Sequence, residues 1–336
     1  MCSRPARYLA LVATAVLVFA AARNPAAGAP ASVLRIGEEA GGTLAWELWV
    51  ILRSGLDRRY GFTLQPVRFA TKEAAETALW GGEVDLKVDD WLFASRARRQ
   101  GFHVQATDAF SRAIGGIMVP AAGPIRSIGD LRGRRIGVSS AADKSYLALR
   151  AVATAQFRFD PQTSSSILQA APPLLNELLE RGQVDAIVQY WQFIPALVST
   201  NRFRELASAV DLLRRIVPGG DLPFLVVVAR DDAVRAKAGS LRSFLAALRA
   251  AKRELASQPD LWDELFGQGR LGISDHQLID GLAARYRLGL PGPWTKATVD
   301  GLAALTAKLI DVAGPEVMGV ASLDPLAFNT DLVRPQ

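Results

Sequence analysis

The side chains that could do chemistry fall in four short runs. Ser139, Ser140, Asp143, Lys144 and Ser145 follow an apolar stretch and open a helix. Exposed backbone N–H groups at such a start, with hydroxyls and an ammonium beside them, would cradle an anion. The same loop could serve only its own helix, with Asp143 or Ser145 as the N-cap. Lys87 interrupts an apolar strand, so it either reaches a cleft or pairs with a carboxylate such as Asp85 or Asp89. Asp89, Asp90 and Trp91 come next, and Gln189, Tyr190 and Trp191 follow a second apolar run. Their aromatics, with Trp46, suit stacking or cation–π contact, or plain core packing. Glu38, Glu39 and Thr43 lie just beyond the first strand; together with Asp89, Asp90 and Asp143 the two glutamates would favour a cation or be solvated.

Most catalytic signatures are missing. His103 and His276 are the only histidines, and neither has a nearby Ser or His that suggests a triad or a zinc site. Neither G-x-S-x-G nor G-x-x-x-x-G-K-[ST] occurs. Gly267, Gly269 and Gly272 fit G-x-G-x-x-G, but a helical segment precedes them where a dinucleotide loop needs a strand, so they read as a helix terminator. No metal and no cofactor is expected. The enzymatic alternative is an acid–base pair of Lys87 with Asp89 or Asp143.

The elements that must hold these residues repeat. Residues 82–93 align with 182–193, sharing Gly, Val, Asp, Val, Trp and Phe, and Arg35-Ile36-Gly37 matches Arg135-Ile136-Gly137 at the same offset. A helix ending at Gly, a buried strand and a Trp opening the next helix form one αβα unit. Two copies predict two similar lobes. Open α/β sheets bind ligands beyond the carboxyl ends of their strands, so those ends should face a shared cleft. Asp85 and Asp185, matched in the repeat, read as caps of the turns before their strands. Strands are predicted at 34–37, 63–69, 84–88 and 101–107, then at 135–138, 165–168 and 184–188. Helices are predicted at 43–59, 71–80 (Thr71 as N-cap), 91–99, from 143, and at 173–181 and 191–199. Four more follow at 240–257, 261–266, 275–285 and 295–313. Residues 115–124 and 218–229 read as two crossings, dividing the chain into lobe 1 (32–118), lobe 2 (119–219) and a completion of lobe 1 with C-terminal helices (220–336).

Residues 1–31 read as a cleaved secretory signal: Arg4 and Arg7, an apolar run, then Ala29-Pro30-Ala31 as an A-x-A site. The apolar run, residues 8–22, is about 15 long, short of the roughly 20 a spanning helix needs. Cleavage would remove Cys2, the one cysteine, and with it thiol and disulfide chemistry. It would also remove Arg4, Arg7 and Arg23, leaving 36 basic against 33 acidic groups. The basic residues are dispersed, so nucleic acid is not an expected partner. The remaining chain suits two domains and an exported monomer.

Residues 125–138, from Ile125-Arg126-Ser127 through Asp130-Leu131 and Gly133 to Ile136, resemble the "I-x-S-x-x-D-L-x-G-K-x-I" segment of periplasmic solute-binding proteins of ABC importers. The branch is that for sulfonates, taurine, nitrate and thiamine-pyrimidine precursors. Gly182, Val184, Asp185 and Ala186 with Trp191 resemble its "G-x-V-D-A…W" segment, and residues 233–259 its long helical stretch. The resemblance implies a type II periplasmic binding protein fold, with two pseudo-symmetric α/β lobes joined by two hinge crossings. It further implies a non-enzymatic periplasmic protein that traps a small polar or charged organic solute and delivers it to an inner-membrane permease. Residues 142–145 and 171–175 also resemble a subgroup encoded beside alcohol-oxidation systems. That implies an alternative role as an accessory or sensor protein of a periplasmic oxidase.

Overall fold

The computed structural model describes residues 32–112, 115–217 and 221–333. The predicted signal with Cys2 and its cleavage site, and residues 218–220 of the predicted return crossing, lie outside the described residues.

The alternation of apolar strands and helices builds two five-stranded sheets of matching design. In the first, β1 (Val33–Glu39) lies between β2 (Thr63–Phe69) and β3 (Leu86–Asp90), all parallel, while β10 (Leu225–Arg230) runs antiparallel between β3 and β4 (Val104–Ser111). In the second, β6 (Arg135–Val138) lies between β7 (Ser166–Gln169) and β8 (Ala186–Tyr190), while β5 (Gly115–Pro120) runs antiparallel between β8 and β9 (Phe203–Ser208). The antiparallel strand of each sheet is thus the one that arrives from the other lobe.

The repeat has a physical basis. Ile36 pairs with Leu86 in one sheet and Ile136 with Ala186 in the other. Beneath each pair a carboxylate clamps the neighbouring strand. Asp85 accepts the Arg35 N–H at 2.9 Å and its guanidinium at 3.0 Å; Asp185 accepts the Arg135 N–H at 2.9 Å and its guanidinium at 2.7 Å. Asp85 is almost fully buried and also takes Lys237 at 2.8 Å, whereas Asp185 is nearly a third exposed. Asp85→Ala should therefore cost about 2 kcal/mol, because it removes the one buried acceptor shared by the part-buried Arg35 and Lys237 donors, and Asp185→Ala about 1 kcal/mol. Urea denaturation of both variants checks this, and equal costs would contradict it.

Several element boundaries differ from the sequence expectation. The helix at 43–59 divides into α1 (Leu44–Arg53) and α2 (Leu56–Arg59), because Gly55 takes the left-handed conformation at φ 60°. Then come α3 (Lys72–Gly81), where the Thr71 hydroxyl accepts the Ala74 N–H as predicted, α4 (Phe93–Arg99) and α5 (Lys144–Phe157). Gly115–Pro120 is not a crossing but a core strand of the second sheet, so the chain changes lobe before Gly115 rather than after Met118. Gly115 is needed there, since a Cβ would sit 1.9 Å from the Gln189 carbonyl oxygen.

The helix Ala238–Ser257 packs Phe244, Leu245 and Leu248 on the first lobe with Leu34, Ile36 and Phe62. The helix Lys296–Ala313 does not belong to one lobe. Leu302, Leu305 and Leu309 join Trp91 and Phe224 of the first to Leu147 and Leu212 of the second. Thr306 accepts the Trp91 indole N–H at 2.9 Å, and the Val312 carbonyl accepts from Arg150 of α5 at 3.0 Å. Among the described residues no helix is long and apolar enough to cross a membrane.

Candidate ligand-binding cleft

The carboxyl ends of β1, β3, β6 and β8 converge on a cavity of about 600 Å³ between the lobes. Glu39, Thr43, Lys72, Asp90 and Arg96 form its wall on the first lobe. Ser140, Asp143, Lys144, Ser145, Tyr190 and Trp191 form it on the second, and Val317 and Met318 add an apolar flank. A recess of about 160 Å³ shares Glu39, Thr43, Lys72 and Asp90 and reaches Asp89 and Phe110.

Strand alternation sends Lys87 and Asp89 to one face of β3 and Asp90 to the other. Lys87 is fully buried, with Nζ 2.7 Å from Asp89 Oδ2 and 3.2 Å from Glu39 Oε1. The other Asp89 oxygen takes Lys72 Nζ at 2.7 Å. Asp90 holds the Arg96 guanidinium in a fork at 3.0 and 3.2 Å and accepts the Leu92 N–H at 2.9 Å. Lys72 of its own lobe and Lys144 of the other each approach it to 3.7 Å. Burial acts to raise the Asp90 carboxyl, but Lys144, Arg96 and Lys72 outweigh it and hold the group well below the usual carboxylate range. Burial likewise acts to lower Lys72, and Asp89 and Asp90 reverse that, so its ammonium is held more firmly than an ordinary lysine's.

On the facing wall Asp143 is the N-cap of α5. Its Oδ1 accepts the Tyr146 N–H at 2.9 Å and its Oδ2 the Ser139 hydroxyl at 3.1 Å. The Tyr190 hydroxyl donates in turn to Ser139 Oγ at 3.2 Å. Burial raises the Asp143 carboxyl despite these donors. Lys144 Nζ bonds the Ala142 carbonyl at 3.2 Å. The anion cradle read from this loop is thus filled by the protein's own carboxylate. Ser145 Oγ is buried on the cavity wall with no hydrogen-bond partner among the described residues.

Residues 61–261 match the family described as NMT1/THI5 like. The chain belongs to this family. A search of curated proteins gives no match. Among solved structures, the fold is similar to the alkanesulfonate-binding protein SsuA from Xanthomonas axonopodis pv. citri bound to MOPS, with TM-score 0.67 at 18% identity over 90% of this chain and 99% of that one. It is also similar to the periplasmic aliphatic sulphonate-binding protein SsuA from Escherichia coli, with TM-score 0.67 at 17% identity over 84% and 85%. The periplasmic nitrate-binding protein NrtA from Synechocystis PCC 6803 aligns with TM-score 0.61 at 11% identity over 90% and 87%. The two-lobed α/β fold of this NMT1/THI5-like chain is therefore that of periplasmic binding proteins.

Six of the residues expected at the cleft of this NMT1/THI5-like protein do not line the main cavity. Lys87 and Asp89 consume each other's charge within the sheet, and only Asp89 reaches the recess. Trp91 is core, wedged against Phe224 and bonded to Thr306. Gln189 is fully buried: its amide donates to Pro172 O and Asn176 Oδ1, each at 2.7 Å, and its carbonyl accepts the Tyr190 N–H at 2.7 Å. Ser139 lies behind the wall, positioning Asp143 and Tyr190. Glu38 alternates with Glu39 along β1, and only Glu39 lines the cavity. Trp46 is core as well, with its ring 5.8 Å from Trp191. Conversely, Lys72 and Arg96 were not anticipated. Lys72 stands just past the carboxyl end of β2, the same signal that marks the other loops; Arg96 shares α4 with Arg98 and Arg99, a pattern that by sequence alone reads as solvated helix charge.

Proposed function

We propose that this protein is the exported solute-binding component of an ABC importer. It traps a small polar organic solute between its lobes in the periplasm, as a monomer, and hands it unchanged to an inner-membrane permease. The observation that carries this is the cavity enclosed by strand carboxyl ends of both lobes, across which Asp90 and Lys144 stand 3.7 Å apart. A solute touching both walls binds the closed arrangement better than the open one and so shifts the population to it. Glu39, Thr43, Lys72 and Asp90 would supply contacts from one lobe, and Ser140, Asp143, Lys144, Ser145, Tyr190 and Trp191 from the other. Binding without turnover is supported by Lys87, whose side chain is fully buried in the first sheet and does not line the cavity.

The test is equilibrium dialysis of the purified protein against a periplasmic extract, with mass spectrometry of what is retained. One small molecule held at 1:1 and released intact is the expected result. A chemically altered molecule, or none, would contradict it.

A further inference from the structure

The charges of the cleft are unevenly satisfied, and this inference, which rests on the solute-binding proposal, concerns the solute those charges would accept. Three cations line the cavity: Lys72, Arg96 and Lys144. Each already has a carboxylate: Lys72 at 2.7 Å from Asp89, Arg96 in its fork with Asp90, and Lys144 at 3.7 Å from Asp90 and bonded to the Ala142 carbonyl. Of the carboxylates, Asp90 is well supplied, with Arg96, Lys72 and Lys144 around it, but Glu39 and Asp143 are less so. Glu39 has one ion-pair partner, Lys87 at 3.2 Å, which is closer still to Asp89, and its side chain is one-third exposed at 35%. Asp143 has only neutral hydrogen-bond donors, and among the described residues no cation lies within ion-pair distance of it. It also accepts an N–H of the first turn of α5, so the helix start that would hold an anion is in use.

Two further observations point the same way. Ser145 Oγ, with its residue 2% exposed, has no partner among the described residues, which costs free energy unless a bound molecule supplies one. Tyr190 and Trp191 present aromatic surface to the same space, and aromatic faces attract organic cations.

We propose that the cleft selects a small organic ammonium compound, its cationic end met by the Glu39 and Asp143 carboxylates and its polar hydrogen or hydroxyl by Ser145 Oγ. A simple anion would find Lys72 and Arg96 closely paired, Lys144 sharing Asp90 with both of them, and two under-compensated carboxylates facing it.

Isothermal titration with probes of similar size and opposite charge tests this: choline and ethylammonium against ethanesulfonate and nitrate. Wild type should bind an ammonium probe at least about tenfold more tightly than either anion, a difference of about 1.4 kcal/mol. Glu39→Gln and Asp143→Asn should each weaken the ammonium probe and strengthen ethanesulfonate. Asn remains a competent N-cap, so α5 keeps its start, and circular dichroism checks that the fold is intact. Ser145→Ala should weaken the ammonium probe alone. Anions binding as tightly as ammonium compounds, or charge variants that leave the preference unchanged, would overturn the proposal. Trp191→Ala separates the two failures: anion binding that this variant abolishes sinks the charge preference and leaves the cleft as the site. Binding of no probe would also overturn the charge class, and the dialysis experiment then judges the cleft on its own.

Discussion

Replacing Lys87 with isoleucine is expected to cost about 3–5 kcal/mol of folding free energy, the range for removing one partner of a buried ion pair. Lys87 has no exposed surface, and its ammonium serves Asp89 and Glu39 together while lying 5.2 Å from the Phe93 ring. Without it, Asp89 would remain buried against Lys72 alone. The second lobe shows how the same place is built without charge: Ile187 and Gln189 occupy the positions matched to Lys87 and Asp89, and Gln189 is satisfied by Pro172, Asn176 and Tyr190. The double variant Lys87→Ile with Asp89→Gln should therefore recover about half the loss or more, a non-additivity of about 2 kcal/mol or more. Urea denaturation of the three variants measures it. Additive losses would mean that Asp89 is held chiefly by Lys72, and that the pair inside β3 contributes little.

The second large effect is expected at Trp191, which leaves its own sheet to join the apolar cluster of the first lobe, edge-on to Trp46 at 5.8 Å. A tryptophan buries roughly 150–250 Å². At about 25 cal/mol per Å², with half of that area lying between the lobes, the contact favours this lobe arrangement by about 2 kcal/mol. Trp191→Ala should then raise the open-to-closed ratio roughly 30-fold and weaken solute binding by up to that factor. Small-angle X-ray scattering should show a larger radius of gyration for the variant. An unchanged radius together with unchanged affinity would mean that Trp191 does not couple the lobes.

The two-lobe plan was legible because the repeat copies a mechanical unit and not merely a composition. The Arg35–Asp85 and Arg135–Asp185 clamps fix the strand register in each sheet. The lobe change lies before Gly115 because the extended segment read as a crossing is a paired strand: its glycines let β5 lie against the Gln189 backbone and the Glu205 side chain. β9, with Arg204 and Glu205 near its start, lacks an apolar alternation strong enough to predict. At the cleft, the strand-end rule located Asp90, Asp143, Lys144, Ser145 and Tyr190, all on the wall. It could not show which polar residues satisfy one another inside the sheet. Lys87 with Asp89, and Gln189 with Asn176, are long-range or strand-internal pairings whose outcome depends on packing. Lys72 carried the same strand-end signal and was missed because β2 has no counterpart in the repeated segments.

Thermal unfolding of the purified protein against a solute panel tests the central claim most directly. The panel should hold ammonium compounds, alkanesulfonates, nitrate, pyrimidines, small alcohols and acids. At about 100 times its dissociation constant, a solute that binds only the folded protein adds roughly 2.7 kcal/mol of stability. One chemical class should produce such a shift in the wild type, and the shift should vanish when Tyr190 and Trp191 are both replaced by alanine. No shift from any class, or a shift that survives the double replacement, would contradict a solute site between the lobes.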